Sequence, residues 1–180
     1  MGEAKRRREA LRDSLLRTGE LWTFPETDWE RDLARELGRR PVLRVPRAPD
    51  SWLEYPRMVP QQCHANASFM ARSDPEYEHV TGWWPQGGNF ALHSVVRHRG
   101  QLVCVTPIRS ADFGMPDHVE FIPDPKIEWR QDCEDHQAYR DGVRLGVGVR
   151  TDPAETMRLI ALVRERLLAG MDPQRAMLLT

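Results

Sequence analysis

The sequence predicts an α+β protein in which a short antiparallel sheet packs on a cysteine-bearing helix, with flanking N- and C-terminal helices. Three observations predict this class. Capped segments with a helical spacing of apolar residues lie near both ends, three runs rich in β-branched and aromatic residues fill the centre, and short gaps containing glycine separate those runs. The 180 residues are enough to bury one substantial core.

The first segment predicts a charged helix over residues 3–18. Its apolar stripe is narrow and consists of Leu11, Leu15 and Leu16, and Gly19 is a typical stop signal. The first turns are too polar to be buried, which favours partial disorder. We therefore divide the chain into a charged N-terminal helix, residues 1–19, and a single α+β domain, residues 20–180.

A second helix is predicted after Thr27, because Thr27 and Glu30 have the spacing of a capping box. Trp29, Leu33 and Leu37 lie on one face of this helix, and a glycine follows its end. The next 20 residues contain five prolines, which predict an extended segment or an edge strand.

The central helix is predicted from Gln61 to Arg72, a stretch that lacks Gly and Pro and is rich in Ala. Pro60 ends the preceding chain, so Cys63 is placed in the first turn of the helix. Neighbouring residues diverge around a helix axis, and we therefore expect His64 to point away from Cys63 and to be exposed.

Three strands are predicted in the centre of the chain. They span residues 77–84, 89–98 and 101–106. A two-residue turn at residues 99–100 joins the last two strands as a hairpin and fixes their register, with Val96 opposite Val103. The same register places Cys104 on the sheet face that carries His93.

The remainder of the chain predicts loops followed by a helix. The sequence is rich in proline after Asp112, and residues 120–141 carry seven acidic against three basic side chains, which predicts a solvated face. A short strand is predicted within residues 143–149. A long helix follows, with Asp152 as its N-cap and Gly170 at its end.

Composition excludes several classes of partner and site. The net charge of −1 excludes a generally basic protein, and the run from Lys5 to Arg8 lacks aromatic neighbours, so we expect no nucleic acid partner. No apolar run reaches the roughly 18 residues of a membrane span, and no secretory signal is evident, so we expect a cytoplasmic protein without a membrane partner. Three cysteines are too few for a disulfide framework.

Cys63 and His93 are the predicted catalytic pair. The first turn of a helix stabilises a thiolate, and an imidazole fixed on a strand can serve as its base. The ring of His93 then needs an orienting group, for which Thr106, Cys104 and Asp112 are the candidates. The alternative is structural: Cys63 fills the core and His93 makes a structural hydrogen bond on its strand.

The chain resembles the papain-like superfamily, including its transglutaminase-like and NlpC/P60-like domains, over residues 60–107. The similar segments, in chain order, are Gln61-Gln62-Cys63-His64, Gly82-Trp83-Trp84, His93-Ser94-Val95-Val96 and Gly100-Gln101-Leu102-Val103-Cys104-Val105-Thr106-Pro107. The resemblance implies a cysteine at the start of a helix as nucleophile and a histidine on a strand as base.

Carried over residue by residue, the resemblance makes Cys63 the nucleophile and His93 the base. Cys104 falls where the family has its acid or amide. Gln61 or Gln62 corresponds to the donor of the oxyanion hole.

These features predict a Cys-His thiol-dependent hydrolase or acyl transferase that acts on an amide or thioester bond. Its substrate is a peptide, a protein or a small amide, and no cofactor is predicted. Trp83 and Trp84 either wall a cleft beside His93 or cover the core.

Two other functions stay open. The first is a non-catalytic binding or accessory protein that retains the fold, since no acid lies beside His93. The second is a zinc-stabilised module with Cys133 and His136 as ligands. The sequence predicts no oligomeric state.

Overall fold

The structure is a computed structural model, and it describes residues 2–54, 58–107, 117–132 and 135–178. The helices are α1 (Glu3–Leu21), α2 (Asp28–Leu37), α3 (Asp50–Glu54), α4 (Cys63–Ser73), α5 (Pro153–Leu168) and α6 (Pro173–Ala176). The strands are β1 (Leu43–Pro46), β2 (Tyr77–Gln86), β3 (Asn89–His98), β4 (Gln101–Val103), β5 (His118–Pro123), β6 (Ile127–Asp132), β7 (Asp135–Arg140), β8 (Val143–Arg144) and β9 (Gly148–Arg150).

Two antiparallel sheets and the flanking helices confirm the predicted α+β class. The larger sheet has the strand order β1-β5-β2-β3-β4, and β9 also pairs with β3. The smaller sheet has the order β6-β7-β8. Helix α4, which begins with Cys63, contacts both β2 and β3. The cysteine-bearing helix therefore packs on the centre of the larger sheet, as predicted.

The hairpin of β3 and β4 follows the predicted register. β2 and β3 pair along their full length, and β3 pairs with β4 so that Val96 faces Val103. β4 is shorter than predicted and ends at Val103, because Cys104 leaves the ladder and forms an isolated bridge with Arg47 instead.

The prediction of loops beyond Asp112 is wrong for residues 127–132 and 135–140, which form β6 and β7 of the smaller sheet. It is also wrong for residues 118–123, which form β5 between β1 and β2. Val119 and Phe121 are buried on one face of this strand, and prolines occur only outside it or at its last residue. Its approach to β2 requires Gly82, because a Cβ at that position would collide with the carbonyl oxygen of Ile122.

The acidic stretch is only partly a solvated face. Asp124 is 2% exposed and accepts hydrogen bonds from Trp83 Nε1 (2.9 Å) and Arg140 Nε (2.7 Å). Burial raises the pKa of Asp124, but these hydrogen bonds and the nearby arginines outweigh burial and lower it. Asp124 is therefore a buried anion that links the two sheets.

The helix caps predicted from the sequence are present. Thr27 accepts a hydrogen bond from the N–H of Glu30, and Asp152 accepts one from the N–H of Glu155. The Glu30 side chain does not complete a capping box. It is buried and forms hydrogen bonds with Arg150 at 2.9 and 2.8 Å, which joins α2 to β9.

Apolar residues cover both faces of the β2–β3 hairpin. On one face, Val96 packs with Ala67 of α4 at one end, and Trp83 packs with Leu33 of α2 at the other. The opposite face contributes a third cluster that includes Val95. A polar site lies on the first face, between the helix α4 and the smaller sheet.

Candidate functional site

Cys63 is fixed at the first residue of α4 by the chain that precedes it. Asn66 holds this segment in place, since its side chain accepts a hydrogen bond from Val59 N and donates one to Val59 O. Gln61 has a positive φ of 64°, an uncommon conformation for a residue other than glycine. Gln62 is the N-cap residue and makes no side-chain capping bond.

The sulfur of Cys63 lies at a gap in the ladder of β3. On that edge β9 pairs with residues 89–91 and β4 with residues 96–98. Leu92 N donates to Val147 O at 2.9 Å, and Ser94 N points to the same side because N–H directions alternate along a strand. The N–H of Ser94 points into this gap and favours the thiolate form of Cys63.

Burial is the largest influence on the Cys63 thiol and raises its pKa to about 11. The backbone N–H groups of Ser94, His64 and Cys63 itself work in the opposite direction by stabilising the thiolate, and the nearby Cys104 thiol adds to the effect of burial. The Cys63 thiol is therefore neutral at pH 7 while the site holds no ligand.

A cavity of about 350 Å³ adjoins Cys63. Gln61, Cys63 and His64 form one side of it. The other side is formed by Leu92, Trp129, Ala138, Leu145, Gly146 and Val147. A cavity of this size is within the range of small-molecule sites in proteins.

A chain of hydrogen bonds runs from His64 into the sheet. Ser94 Oγ lies 2.8 Å from His64 Nδ1 and 2.8 Å from His79 Nε2. Thr81 Oγ1 lies 3.3 Å from His79 Nε2, and Trp129 Nε1 donates to Thr81 Oγ1 at 2.9 Å. These four side chains hold the imidazole of His64 in place at the cavity that Cys63 also lines.

The direction of this chain decides what His64 presents to the cavity. Two tautomer arrangements satisfy the bonds around Ser94. In one of them the Ser94 hydroxyl donates to His79 Nε2 and accepts from His64 Nδ1, which leaves a lone pair on His64 Nε2. In the other arrangement His64 Nε2 carries the proton. Only the first arrangement makes His64 a base.

Both histidines of this chain are neutral at pH 7. Burial lowers the pKa of His64 to about 4, and the charge of a protonated His79 would lower it further. Burial also lowers the pKa of His79. The expectation that His64 is exposed is wrong: it is partly buried, because the register of β3 brings Ser94 to the helix face.

His93 projects from the opposite face of β3, since it is next to Ser94 in the strand. Its Nε2 lies 3.5 Å from Cys104 Sγ, and its ring contacts those of Trp84 and Phe121. Burial lowers the pKa of His93 to about 3. No hydrogen bond joins His93 to Cys63, both of which the structure describes.

The predicted orienting groups are distributed around His93. Cys104 is buried and contacts it, as the predicted sheet face requires. Thr106 is buried, and its hydroxyl has no hydrogen-bond partner among the described residues. Asp112 lies outside the described residues.

The aromatic and oxyanion candidates are divided between the cavity and the core. Trp83 is fully buried and bonded to Asp124, whereas Trp84 contacts His93 on the other face of the sheet. Trp129 is the tryptophan that walls the cavity. Gln61 lines the cavity as well, and Gln62 is exposed next to it.

The zinc prediction falls partly outside the described chain. Cys133 is not among the described residues, and His136 is exposed on β7. Within residues 2–54, 58–107, 117–132 and 135–178, no three His, Cys, Asp or Glu side chains form a group that could hold a metal ion. None of the helices in those ranges has the length and apolar character of a membrane span.

Sequence reasoning missed the polar chain of His64, Ser94, His79, Thr81 and Trp129. The available signal was the alternation of His79 and Thr81 along β2, opposite Ser94 on β3. Alternation shows which residues share a face of the sheet, but it does not show which face the helix covers.

Comparisons of the chain with models of protein families, with curated proteins and with solved structures found no match. Functional conclusions accordingly rest on the arrangement of residues around Cys63.

Proposed function

We propose that the protein is a thiol-dependent hydrolase or acyl transferase acting on an amide or thioester bond, with Cys63 as its nucleophile. One observation carries this proposal. The Cys63 sulfur lies at a helix N-terminus among three backbone N–H groups, and it lines a cavity together with His64, whose Nδ1 is held by Ser94. The proposed nucleophile and base thus line one cavity, and an orienting group holds the base.

In the proposed reaction, Cys63 Sγ attacks the carbonyl carbon of a substrate bound in the cavity. The thiol proton passes to His64 Nε2 through a water in the cavity as the S–C bond forms, and the π electrons move to the carbonyl oxygen. Collapse of the adduct breaks the C–N or C–S bond, and the leaving group takes the proton from His64. Water or another acceptor then releases the acyl group from Cys63.

The first-turn N–H groups of α4 and the side-chain amide of Gln61 are the proposed donors to the developing oxyanion. Gln61 lines the cavity beside Cys63, which supports this role. The prediction that Gln61 supplies the oxyanion hole is retained for this reason, and Gln62 remains the other candidate.

Attack by a preformed thiolate-imidazolium pair does not fit the electrostatics. Burial raises the pKa of the Cys63 thiol to about 11 and lowers the pKa of the His64 imidazole to about 4, so the neutral forms of both groups are favoured at pH 7. Proton transfer is therefore coupled to bond formation, with neutral thiol and neutral imidazole at rest.

A non-catalytic binding protein is the second candidate function. The raised pKa of Cys63 and the lowered pKa values of His64 and His93 favour it. In that case the same cavity holds a ligand without cleaving it.

Three other predictions made from the sequence are not part of this proposal. His93 as the base, the resemblance to the papain-like superfamily and a zinc site at Cys133 and His136 stay predictions. The free thiols of Cys63 and Cys104 suit a reducing compartment, which supports a cytoplasmic location.

The proposal is tested by steady-state release of thiol from S-hexanoyl-N-acetylcysteamine, an uncharged thioester. We expect turnover that Cys63→Ala abolishes, and a kcat/KM that His64→Gln lowers by about 100-fold. His118→Gln is the matched control for His64→Gln, because His118 lies on β5 and does not line the cavity, and it should retain most of the activity. Turnover that persists in Cys63→Ala, or none in the wild type, would contradict the proposal.

A further inference from the structure

We infer that the cavity beside Cys63 selects an uncharged, apolar acyl group of moderate size. This inference rests on the proposed function, since it names the substrate class of the same site. Three features of the cavity support it: the absence of charge in its described lining, its fixed apolar walls and its volume.

The described side chains that line the cavity carry no charge at pH 7. No Asp, Glu, Lys or Arg is among these described side chains. Cys63 and His64 are the two titratable groups among them, and both are neutral at pH 7. A carboxylate or ammonium packed against this lining would therefore lose part of its hydration without gaining an ionic partner. An apolar group enters without that cost.

The apolar walls are held by the backbone of both sheets. Leu92 N donates to Val147 O at 2.9 Å, and Leu145 N donates to Ala138 O at 2.8 Å. Trp129 is fixed by its hydrogen bond to Thr81. The walls are thus formed before a ligand arrives, which reduces the entropy cost of binding.

The volume sets the size of the acyl group. About 350 Å³ corresponds to roughly twelve water-sized volumes of about 30 Å³ each, so a chain of about six carbons with its carbonyl and part of the leaving group fits. Gly146 lies exposed at the rim, and a Cβ there would meet no atom within 4 Å. Its φ lies outside the left-handed region, so larger side chains are sterically compatible with the backbone.

The experiment compares two thioesters of N-acetylcysteamine that differ only at the end of the acyl chain. One carries a hexanoyl group and the other an adipoyl group, which ends in a carboxylate. The rate of acyl transfer to Cys63 is followed by intact-protein mass spectrometry at pH 7. We expect the hexanoyl thioester to react roughly 30-fold faster or more.

Gly146→Phe places a ring at the rim and should slow hexanoyl transfer by roughly tenfold or more. Val143→Phe is the matched control, because Val143 is exposed on β8 and does not line the cavity. It should react at the wild-type rate. Circular dichroism of both variants confirms that each is folded.

Binding to Cys63→Ala, measured from tryptophan fluorescence, separates the two proposals. Equal transfer of both acyl groups would overturn the inferred selectivity and leave the proposed function standing. Binding of the hexanoyl but not the adipoyl thioester, with no transfer in the wild type, would overturn the proposed function and leave the selectivity standing. Neither transfer nor binding of the hexanoyl thioester would overturn both.

Discussion

At the residue scale, burial controls the protonation of Cys63. Three backbone N–H groups favour the thiolate, yet removal from water dominates and the pKa rises to about 11. The first turn of a helix was a sound reason to expect an anion site, but the sequence does not show how deeply the sulfur is buried.

Alkylation of Cys63 by iodoacetamide should therefore be slow at pH 7 and should rise with pH up to about 11 in the protein without ligand. Peptide mass spectrometry at each pH assigns the modification to Cys63 rather than to the buried Cys104. An alkylation rate that reaches its plateau below pH 8 would contradict this, because it would show that the N–H groups lower the pKa of Cys63 more than burial raises it.

The buried histidines make the folded state sensitive to acid. The pKa of His93 falls from its ordinary 6.5 to about 3, so between these values the unfolded chain binds a proton that the folded chain does not. Stability is therefore fully present above pH 6.5 and is lost as the pH falls toward 3. His64 acts in the same direction.

Urea unfolding at pH 7 and pH 5 measures this effect. His93 should account for a loss of about 2 kcal/mol between the two values, and His93→Gln should remove that part of the loss. The variant's lower stability at pH 7 does not affect the comparison, which uses the difference between the two pH values. An identical loss in both proteins would mean that His93 is solvated.

At the scale of elements, the sequence did not predict the short strands β5, β6 and β7 or the face of the sheet that helix α4 covers. The hairpin of β3 and β4 was predictable to its register, since a two-residue turn fixes the pairing. β5 was missed because six residues between prolines in an acidic context resemble a loop. The sequence placed His93 near Cys63, whereas in the structure His64 lines the cavity together with Cys63 and His93 lies on the other face of β3. Alternation alone does not tell which face of β3 the helix α4 covers.

The attachment of α2 to β9 depends on the buried pair Glu30 and Arg150, which are 3% and 1% exposed. Glu30→Gln leaves the Arg150 charge buried without its anion and should lower the free energy of unfolding by about 3 kcal/mol. Asp32→Asn removes an exposed partner of Arg35 on the same helix and should cost less than about 1 kcal/mol. Chemical denaturation of both variants checks this, and equal costs would contradict it.

At the scale of the whole molecule, the site lies where several units meet. Helix α4 supplies Cys63 and His64, β2 and β3 supply the hydrogen-bond chain, and the smaller sheet supplies Trp129 and Ala138. The fold class was predictable from periodicity and caps. The way in which α4, the β2–β3 hairpin and the smaller sheet come together was not predictable, because it depends on contacts between segments far apart in sequence.

The central claim is that Cys63 accepts an acyl group from a substrate in this cavity. Its most direct test is rapid quenching of the protein with S-hexanoyl-N-acetylcysteamine in acid, followed by peptide mass spectrometry. The proposed mechanism predicts a transient hexanoyl thioester on Cys63 that forms and decays at rates consistent with turnover. Absence of that adduct during turnover, or its appearance only on another residue, would contradict the claim.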